Sequence, residues 1–213
     1  LLGETFKQKY MKIHSETELS ESESNEAKQK AFEERFMAYM DLLRECHFNE
    51  EILKKAVEKT DLALRDGAED FFKEMYENHI PVIIISCSIK NVVEEYLKQN
   101  HIDYDNIYIY ANYFDMNGKK ENDVTSVTPY NKNKIEFSKK LKEVIKHKKY
   151  IVLLGDITDD VNMVTKEKLK DTVTIGFLEK NIEANLEKYK KTFDIVLTNQ
   201  ASFKQVLEII DFK

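Results

Sequence analysis

The chain has 213 residues, of which 42% are hydrophobic and 34% charged, so it can bury a core the size of one domain with a small insertion. Its net charge of −6 argues against a broad nucleic-acid-binding face, and no apolar run reaches the roughly 18 residues of a membrane span. Two cysteines, Cys46 and Cys87, are too few for a disulfide scaffold and fit a reducing compartment such as the cytoplasm.

Helices are predicted for most of the first third of the chain. Residues 1–15 contain no apolar stretch typical of a secretory signal. Residues 15–30 hold five glutamates, which predicts a loop that runs into a solvated first helical turn. Apolar side chains recur at helical spacing between residues 32 and 43 and again between 52 and 57. Residues 22–64 therefore predict a helical hairpin or a small bundle.

From Gly67 onward, helical and strand-like segments alternate along the chain. After an amphipathic helix predicted over 68–78, short and mostly apolar runs predict strands at 81–86, 107–112, 150–155, 172–177 and 193–198. Helices are predicted at 89–99, 133–147, 159–169, 180–190 and 201–211. Apolar runs without polar alternation are typical of strands that are buried on both faces, as in a parallel sheet.

This alternation predicts an α/β fold, with a doubly wound (Rossmann-like) parallel sheet and an inserted helical cap. We expect residues 1–15 to be a connection into the cap, residues 16–66 to form the cap, and residues 67–213 to form the α/β core. Ligands of open α/β sheets bind at the carboxyl ends of the strands, so the residues that follow each strand are the candidates for a site.

Two carboxylates follow the strand at 150–155. Asp156 leaves the strand tip, and Asp160 lies in the first turn of the next predicted helix. Oxygen ligands of this kind suit a hard cation such as Mg²⁺. The alternative interpretation is a helix cap, in which Thr158 or Asp159 accepts hydrogen bonds from free backbone N–H groups.

Two further candidates are Ser86 and Lys132. Ser86 ends the strand at 81–86, where a hydroxyl and the N–H groups of the next helix could cradle a phosphate, although a serine N-cap explains the pattern equally well. Cys87 is interpreted as a small core residue rather than a reactive thiol. Lys132 begins the helix at 133–147, where an anion would offset its unfavourable position in the helix dipole; the alternative is a solvated surface lysine.

The order of these candidates resembles a known pattern. A strand-end serine, a lysine at a helix start and a strand-end Gly-Asp-x-x-x-Asp resemble motifs two to four of the haloacid dehalogenase superfamily of phosphotransferases. Several blocks resemble, more narrowly, the pyrimidine-specific cytosolic 5′-nucleotidases (type III). These blocks cover residues 64–67, 71–72, 80–86, 112–115, 130–132, 153–156, 189 and 193–197. The similarity runs from about residue 1 to the C-terminus.

The resemblance implies a Mg²⁺-dependent phosphatase that hydrolyses nucleoside 5′-monophosphates through an aspartyl-phosphate. It places Ser86 on the transferred phosphoryl group, with Cys87 beside it in the substrate-binding segment, and it places Lys132 against the phosphate and the intermediate. It implies that Asp156 binds Mg²⁺ and that Asp160 orients the metal shell. The implied partner is a small phosphate ester rather than a nucleic-acid polymer or a membrane, and the oligomeric state is left open.

The chain departs from the family pattern in two ways. The D-x-D-x-T motif that supplies the nucleophilic aspartate is absent from the 213 residues. We expect it upstream of residue 1, in a strand that precedes the cap; its loss would instead leave a catalytically inactive, ligand-binding homologue.

The second departure concerns the substrate-binding positions of the cap. Two positions that contact the base or sugar in similar enzymes are occupied here by His14 and Cys46. A nearby position that is aromatic in those enzymes is Leu42 here, and the acidic residue of the family is retained as Asp41. His14 is otherwise simply a loop histidine. The changes leave open a non-pyrimidine base or another small phospho-metabolite as the substrate.

Overall fold

The computed structural model describes residues 3–16, 24–116 and 126–210. The chain has a mixed α/β fold, as predicted, and divides into two compact units. The first unit comprises Leu1–Asp61, Ile84–Asp103 and Ile109–Asn131, and the second comprises Leu62–Ile83, Tyr104–Tyr108 and Lys132–Lys213. Within the described ranges, none of the helices combines the length and the apolar character needed to span a bilayer.

All five predicted strands are present. They are β1 (Val82–Ile89), β2 (Ile107–Asn112), β3 (Ile151–Gly155), β4 (Thr172–Leu178) and β5 (Ile195–Thr198). The described helices are α1 (Gly3–Glu16), α2 (Asn25–Glu45), α3 (Glu50–Glu58), α4 (Ala68–Glu77), α5 (Lys90–Gln99), α6 (Lys139–Ile145), α7 (Lys166–Leu169), α8 (Ile182–Thr192) and α9 (Phe203–Ile209). Short 3₁₀ turns cover Lys132–Lys134 and Thr158–Met163.

The sheet of the second unit is parallel, as its uninterrupted apolar runs predict. Its strand order is β3-β4-β5, and Gly155 of β3 is paired in register with Gly176 of β4. Ile175 at the middle of β4 is fully buried. β1 and β2 pair in a separate two-stranded sheet.

The N-terminal helices are built around a small apolar core in the first unit. Polar caps set where the helices begin: the Ser24 side chain accepts a hydrogen bond from Ala27 N at 3.2 Å, and that of Asn49 accepts one from Ile52 N at 3.0 Å. The buried core residues are Met40, Leu43, Phe48, Leu53, Val57 and Phe114.

The start of the chain is helical. Residues 3–16, expected as part of a connection, form the helix α1. Residues 17–23 of the acidic stretch at 15–30 lie outside the described residues, and α2 begins at Asn25. The boundaries proposed for a connection, a cap and a core stay predictions.

Two helices are shorter than predicted. The helix predicted at 133–147 begins only after Ser138, because the Ser138 hydroxyl caps α6 by accepting a hydrogen bond from Leu141 N at 3.2 Å. The helix predicted at 159–169 is a 3₁₀ turn followed by the single turn of α7, because Val164 adopts an extended conformation between them. Val164 and Thr165 are β-branched, which disfavours a continuous helix here.

The last strand also begins later than predicted. Phe193 ends α8, and Asp194 is bound to the neighbouring strand through its side chain, which accepts hydrogen bonds from Thr174 N at 2.9 Å and from Thr174 Oγ1 at 2.7 Å. These bonds hold the junction between α8 and β5 against β4.

The close contact between Phe193 and Gly176 yields a test of this packing. A Cβ atom added at Gly176 would lie 2.4 Å from Phe193 Cδ2, so Gly176→Ala must displace a buried ring. We expect the free energy of unfolding in urea to fall by about 1–3 kcal/mol. In a Phe193→Ala background the same substitution should have little further effect; equal losses in both backgrounds would contradict this contact.

Candidate active site

The tip of β3 brings together three of the predicted site residues, Lys132, Asp156 and Asp160. Gly155 ends the strand, Asp156 follows it, and the 3₁₀ turn that comes next carries Asp160 back towards the strand. A Cβ atom at Gly155 would lie 2.6 Å from Asp160 Cβ and 3.0 Å from its Oδ2 atom. Glycine is therefore the residue that lets Asp160 approach the backbone here.

Asp160 is the buried centre of this site. Its side chain is 4% exposed, and its Oδ1 atom accepts a hydrogen bond from Lys132 Nζ at 2.6 Å. Its Oδ2 atom accepts hydrogen bonds from the backbone N–H groups of Asp156 at 3.1 Å and Ile157 at 3.3 Å. The carboxylate thus has a cation on one oxygen and two amides on the other, which satisfies a charge that is costly to bury alone.

This arrangement excludes one interpretation of Lys132 and shows which acid binds the backbone after β3. The Lys132 side chain is 9% exposed, so Lys132 is not a solvated surface lysine, and it lies in a 3₁₀ turn rather than in a longer helix. The backbone N–H groups after β3 donate to Asp160, and not to Thr158 or Asp159 as the capping interpretation predicts. Asp160 therefore orders the strand tip as well as pairing with Lys132.

The electrostatics of the tip centre on Asp156. Although Asp156 keeps contact with solvent, partial desolvation raises the pKa of its carboxyl, and the neighbouring Asp160 carboxylate raises it further. Lys132 acts in the opposite direction and lowers this pKa, but it does not outweigh the other two effects. The negative charge on Asp156 is therefore held in an unfavourable place, which is common at functional sites.

The donor atoms at the tip fit a magnesium ion. Mg²⁺ is typically held by one or two carboxylates together with waters and substrate phosphate oxygens. Asp156 and Asp160 supply two carboxylates, and a divalent cation beside Asp156 would relieve the repulsion that raises its pKa. The tip holds two carboxylates only, and nowhere in the described ranges do three or more His, Cys, Asp or Glu residues group closely enough to hold a metal by themselves.

Ser86 and Cys87 lie within β1 in the first unit. β1 continues to Ile89, so Ser86 precedes the end of the strand by three residues, and the N-cap of α5 is Ile89 rather than a serine. The Ser86 hydroxyl accepts a hydrogen bond from Ser88 N at 3.1 Å. Both Ser86 and Cys87 are partly buried.

Asn112, at the end of β2, fixes this part of β1. Its side-chain amide donates to the carbonyl groups of Cys87 and Val127, each at 3.0 Å, and its oxygen accepts from Val127 N at 2.6 Å. Asn112 is 4% exposed. The spacing of the sequence does not reveal this role, because an asparagine after a strand is equally typical of an exposed turn.

A second buried amide orders the segment that leads to Lys132. The Asn131 side chain donates to Ser126 O and accepts from Thr128 N, both at 2.7 Å. Thr128 is fully buried, and its hydroxyl accepts from Tyr130 N at 3.2 Å. Residues 126–131 thus form a hydrogen-bonded loop that ends directly before the lysine in the chain.

The predicted cap residues occupy different places in the first unit. His14 lies exposed in the last turn of α1, and Asp41 lies on α2, where it pairs with Arg44 Nη1 at 2.8 Å. Cys46 is the partly buried C-cap of α2, and Leu42 is buried in the same helix. Their assignment to substrate binding stays a prediction.

Comparison with known proteins places the chain among nucleotidases. The family model described as pyrimidine 5′-nucleotidase (UMPH-1) matches residues 3–212. A 7-methylguanosine phosphate-specific 5′-nucleotidase A of Xenopus laevis is 29% identical over 94% of this chain and 71% of its own length. The 7-methylguanosine phosphate-specific 5′-nucleotidase of Homo sapiens is 32% identical over 68% of this chain and 50% of its own length.

A solved structure shares the fold. The crystal structure of cytosolic 5′-nucleotidase IIIB bound to cytidine aligns with a TM-score of 0.72 and 22% identity, over 95% of this chain and 70% of that one. At this identity the match shows a common architecture.

The buried ion pair gives a first prediction for the site. Lys132→Met removes the cation and leaves the Asp160 carboxylate buried, so the free energy of unfolding in urea at pH 7 should fall by about 3 kcal/mol. Adding Asp160→Asn should restore part of this loss. Lys204→Met is the control, because the 2.9 Å pair of Lys204 and Asp66 is mostly exposed and its removal should leave stability close to wild type. Similar losses in both single variants would contradict the assignment.

A second prediction concerns the Asn112 clamp. Asn112→Asp keeps the size of the side chain but replaces two N–H donors with an acceptor facing two carbonyl groups. The free energy of unfolding should fall by about 2–3 kcal/mol. Asn78→Asp serves as the comparison, since Asn78 lies exposed at the end of α4. If Asn112→Asp is no more destabilising than Asn78→Asp, the clamp does not hold β1.

Proposed function

The chain belongs to the pyrimidine 5′-nucleotidase family, and we propose that it is a Mg²⁺-dependent phosphatase that hydrolyses nucleoside 5′-monophosphates. The observation that carries the proposal is the grouping of Lys132, Asp156 and Asp160 at the tip of a parallel strand. A buried lysine beside two carboxylates can neutralise a phosphate while keeping a place for a divalent cation. The names of similar proteins support a nucleotide as the phosphate ester.

In this proposal each candidate residue has a distinct task. Asp156 and Asp160 would hold Mg²⁺, which supplies charge neutralisation at the phosphate oxygens. Lys132, fixed by its bond to Asp160, would offset the charge of the phosphate and of an aspartyl-phosphate intermediate. Ser86 would donate its hydroxyl hydrogen to a phosphoryl oxygen, and Cys87 would lie in the same substrate-binding segment.

The proposal requires a nucleophilic aspartate. The D-x-D-x-T motif that provides it in the resembling superfamily is not among the 213 residues. Activity should therefore be measured both on this chain and on any longer product of its coding sequence that carries such a motif upstream of Leu1. A coding sequence without the motif would favour the second candidate, a homologue that binds the ligand without turning it over.

The choice of base is a separate part of the proposal. The family name points to pyrimidines, whereas the similar proteins from Xenopus and Homo sapiens are named for 7-methylguanosine phosphate. His14, Asp41 and Cys46 are the residues we propose to contact the base or sugar. A panel of CMP, UMP, 7-methylguanosine monophosphate and non-nucleotide phosphate esters separates a nucleotidase from a phosphatase for another small metabolite. We propose a cytoplasmic location, in keeping with the cytosolic structural relative.

The decisive assay is phosphate release from this panel with and without Mg²⁺. The proposed function predicts metal-dependent release that is greatest for one or more nucleoside monophosphates. Release that is unaffected by removal of Mg²⁺ would refute the metal assignment, and the absence of release by a product that carries the D-x-D-x-T motif would refute the enzyme.

Asp156→Asn tests the role of the exposed carboxylate. It should abolish metal-dependent turnover without lowering the free energy of unfolding at pH 7. The folded state raises the pKa of Asp156 above its ordinary value of 3.8, so the contribution of this group to stability is greatest at low pH and is lost as the pH rises through the folded pKa. Replacing the charge at pH 7 therefore leaves stability unchanged or increased. Near-normal turnover, or a marked loss of stability in urea, would contradict the assignment.

A further inference from the structure

A tyrosine to which the sequence assigns no role in the site contacts the tip of β3. Tyr189 lies on α8, and its hydroxyl donates a hydrogen bond to the backbone carbonyl of Asp156 at 2.5 Å. The residue is 9% exposed. It is also close enough to Asp156 and Asp160 for both carboxylates to raise the pKa of its hydroxyl, in addition to the effect of burial. The tyrosine is thus part of the polar surroundings of the site.

The ring of Tyr189 packs against buried side chains in the core of the second unit. Its buried neighbours in the same cluster are Leu153 of β3, Leu178 of β4 and Phe193. The Tyr189 and Phe193 rings lie 5.6 Å apart between centroids, and Phe193 rests on Gly176. A side chain with this support has few alternative rotamers, so the position of its hydroxyl is well defined.

The backbone at the strand tip is consequently bound from two sides. The Asp156 carbonyl accepts from Tyr189, while the N–H groups of Asp156 and Ile157 donate to Asp160 Oδ2. In the peptide group that joins Asp156 to Ile157, the carbonyl accepts a hydrogen bond from Tyr189 and the N–H donates one to Asp160. Because the Asp156 side chain projects from this short stretch, the two bonds together limit where its carboxylate can lie.

We propose that Tyr189 is a positioning residue, whose hydroxyl fixes the Asp156 backbone and thereby holds the Asp156 carboxylate in the geometry that binds the metal. The part that concerns the metal rests on the proposed function. Tyr189 contacts neither substrate nor phosphate in this role; it acts through Asp156. Removing the hydroxyl would leave the carbonyl without its donor while the ring, and the packing around it, stay in place.

The test uses the full chain with Tyr189→Phe, which removes one oxygen atom. Tyr150→Phe is the matched control, because Tyr150 directly precedes β3 but is 72% exposed. Hydrogen exchange of the Asp156 and Ile157 amides is measured by NMR without metal, and Mg²⁺ affinity is measured from the shifts of the same amides. Global unfolding in urea shows how far each variant alters overall stability.

Two results are expected for Tyr189→Phe. Exchange of the two amides should become about 3- to 10-fold faster, as expected for the loss of one hydrogen bond, with core amides of β4 little affected. Mg²⁺ affinity should fall by about 10-fold, the effect typical of residues that orient a ligand from outside the metal shell. Tyr150→Phe should match the wild type in both measurements.

The outcomes separate this inference from the function on which it rests. Unchanged exchange at Asp156 and Ile157 would overturn the positioning role, and so would faster exchange with an unaltered Mg²⁺ affinity. A uniform acceleration that follows global stability would also overturn it, since it would show a purely structural role. If neither the wild-type chain nor a longer product that carries the D-x-D-x-T motif binds Mg²⁺, the proposed function is refuted, whereas the exchange comparison still decides whether the Tyr189 hydroxyl orders the strand tip.

Discussion

The buried ion pair between Lys132 and Asp160 is the interaction on which the site depends. Each side chain would be costly to bury alone, and their 2.6 Å contact offsets part of that cost. The backbone offsets more of the cost of burying Asp160, because the second carboxylate oxygen accepts hydrogen bonds from two amides at the end of β3. The pair therefore fixes a lysine and a strand tip relative to one another, and it does so within one compact unit.

Two glycines make this arrangement sterically feasible. Gly155 admits Asp160, and Gly176, its partner in register on β4, admits Phe193. At either position a Cβ atom would come within 2.6 Å of a buried neighbour. In a chain with only 5 glycines, two are thus placed side by side where polar and aromatic side chains must approach the sheet. The fold and the site share these residues, so a substitution at either glycine would disturb both packing and chemistry.

The strands and the charged residues at the tip could be predicted from sequence, since an apolar run followed by Gly-Asp identifies both the strand and its end. The helices could not be delimited in the same way. Ser138 and Val164 interrupt patterns that are helical in periodicity, through a cap in one case and an extended backbone in the other. The part played by Tyr189 was equally hidden, because in the sequence it is one apolar position of an amphipathic helix, and only the tertiary contact reveals its hydroxyl bond.

The two carboxylates at the tip of β3 have different electrostatic surroundings, and this difference indicates that they have different roles. Asp160 is paired and hydrogen-bonded, which offsets the cost of burying its charge. Asp156 has its pKa raised by desolvation and by Asp160, so its charge opposes folding near neutral pH. A side chain that only stabilised the structure would have no reason to carry this penalty. In the proposed function a bound Mg²⁺ would make the same charge favourable, and Asp156, rather than the better-satisfied Asp160, would then be the group that most directly links stability to ligand binding.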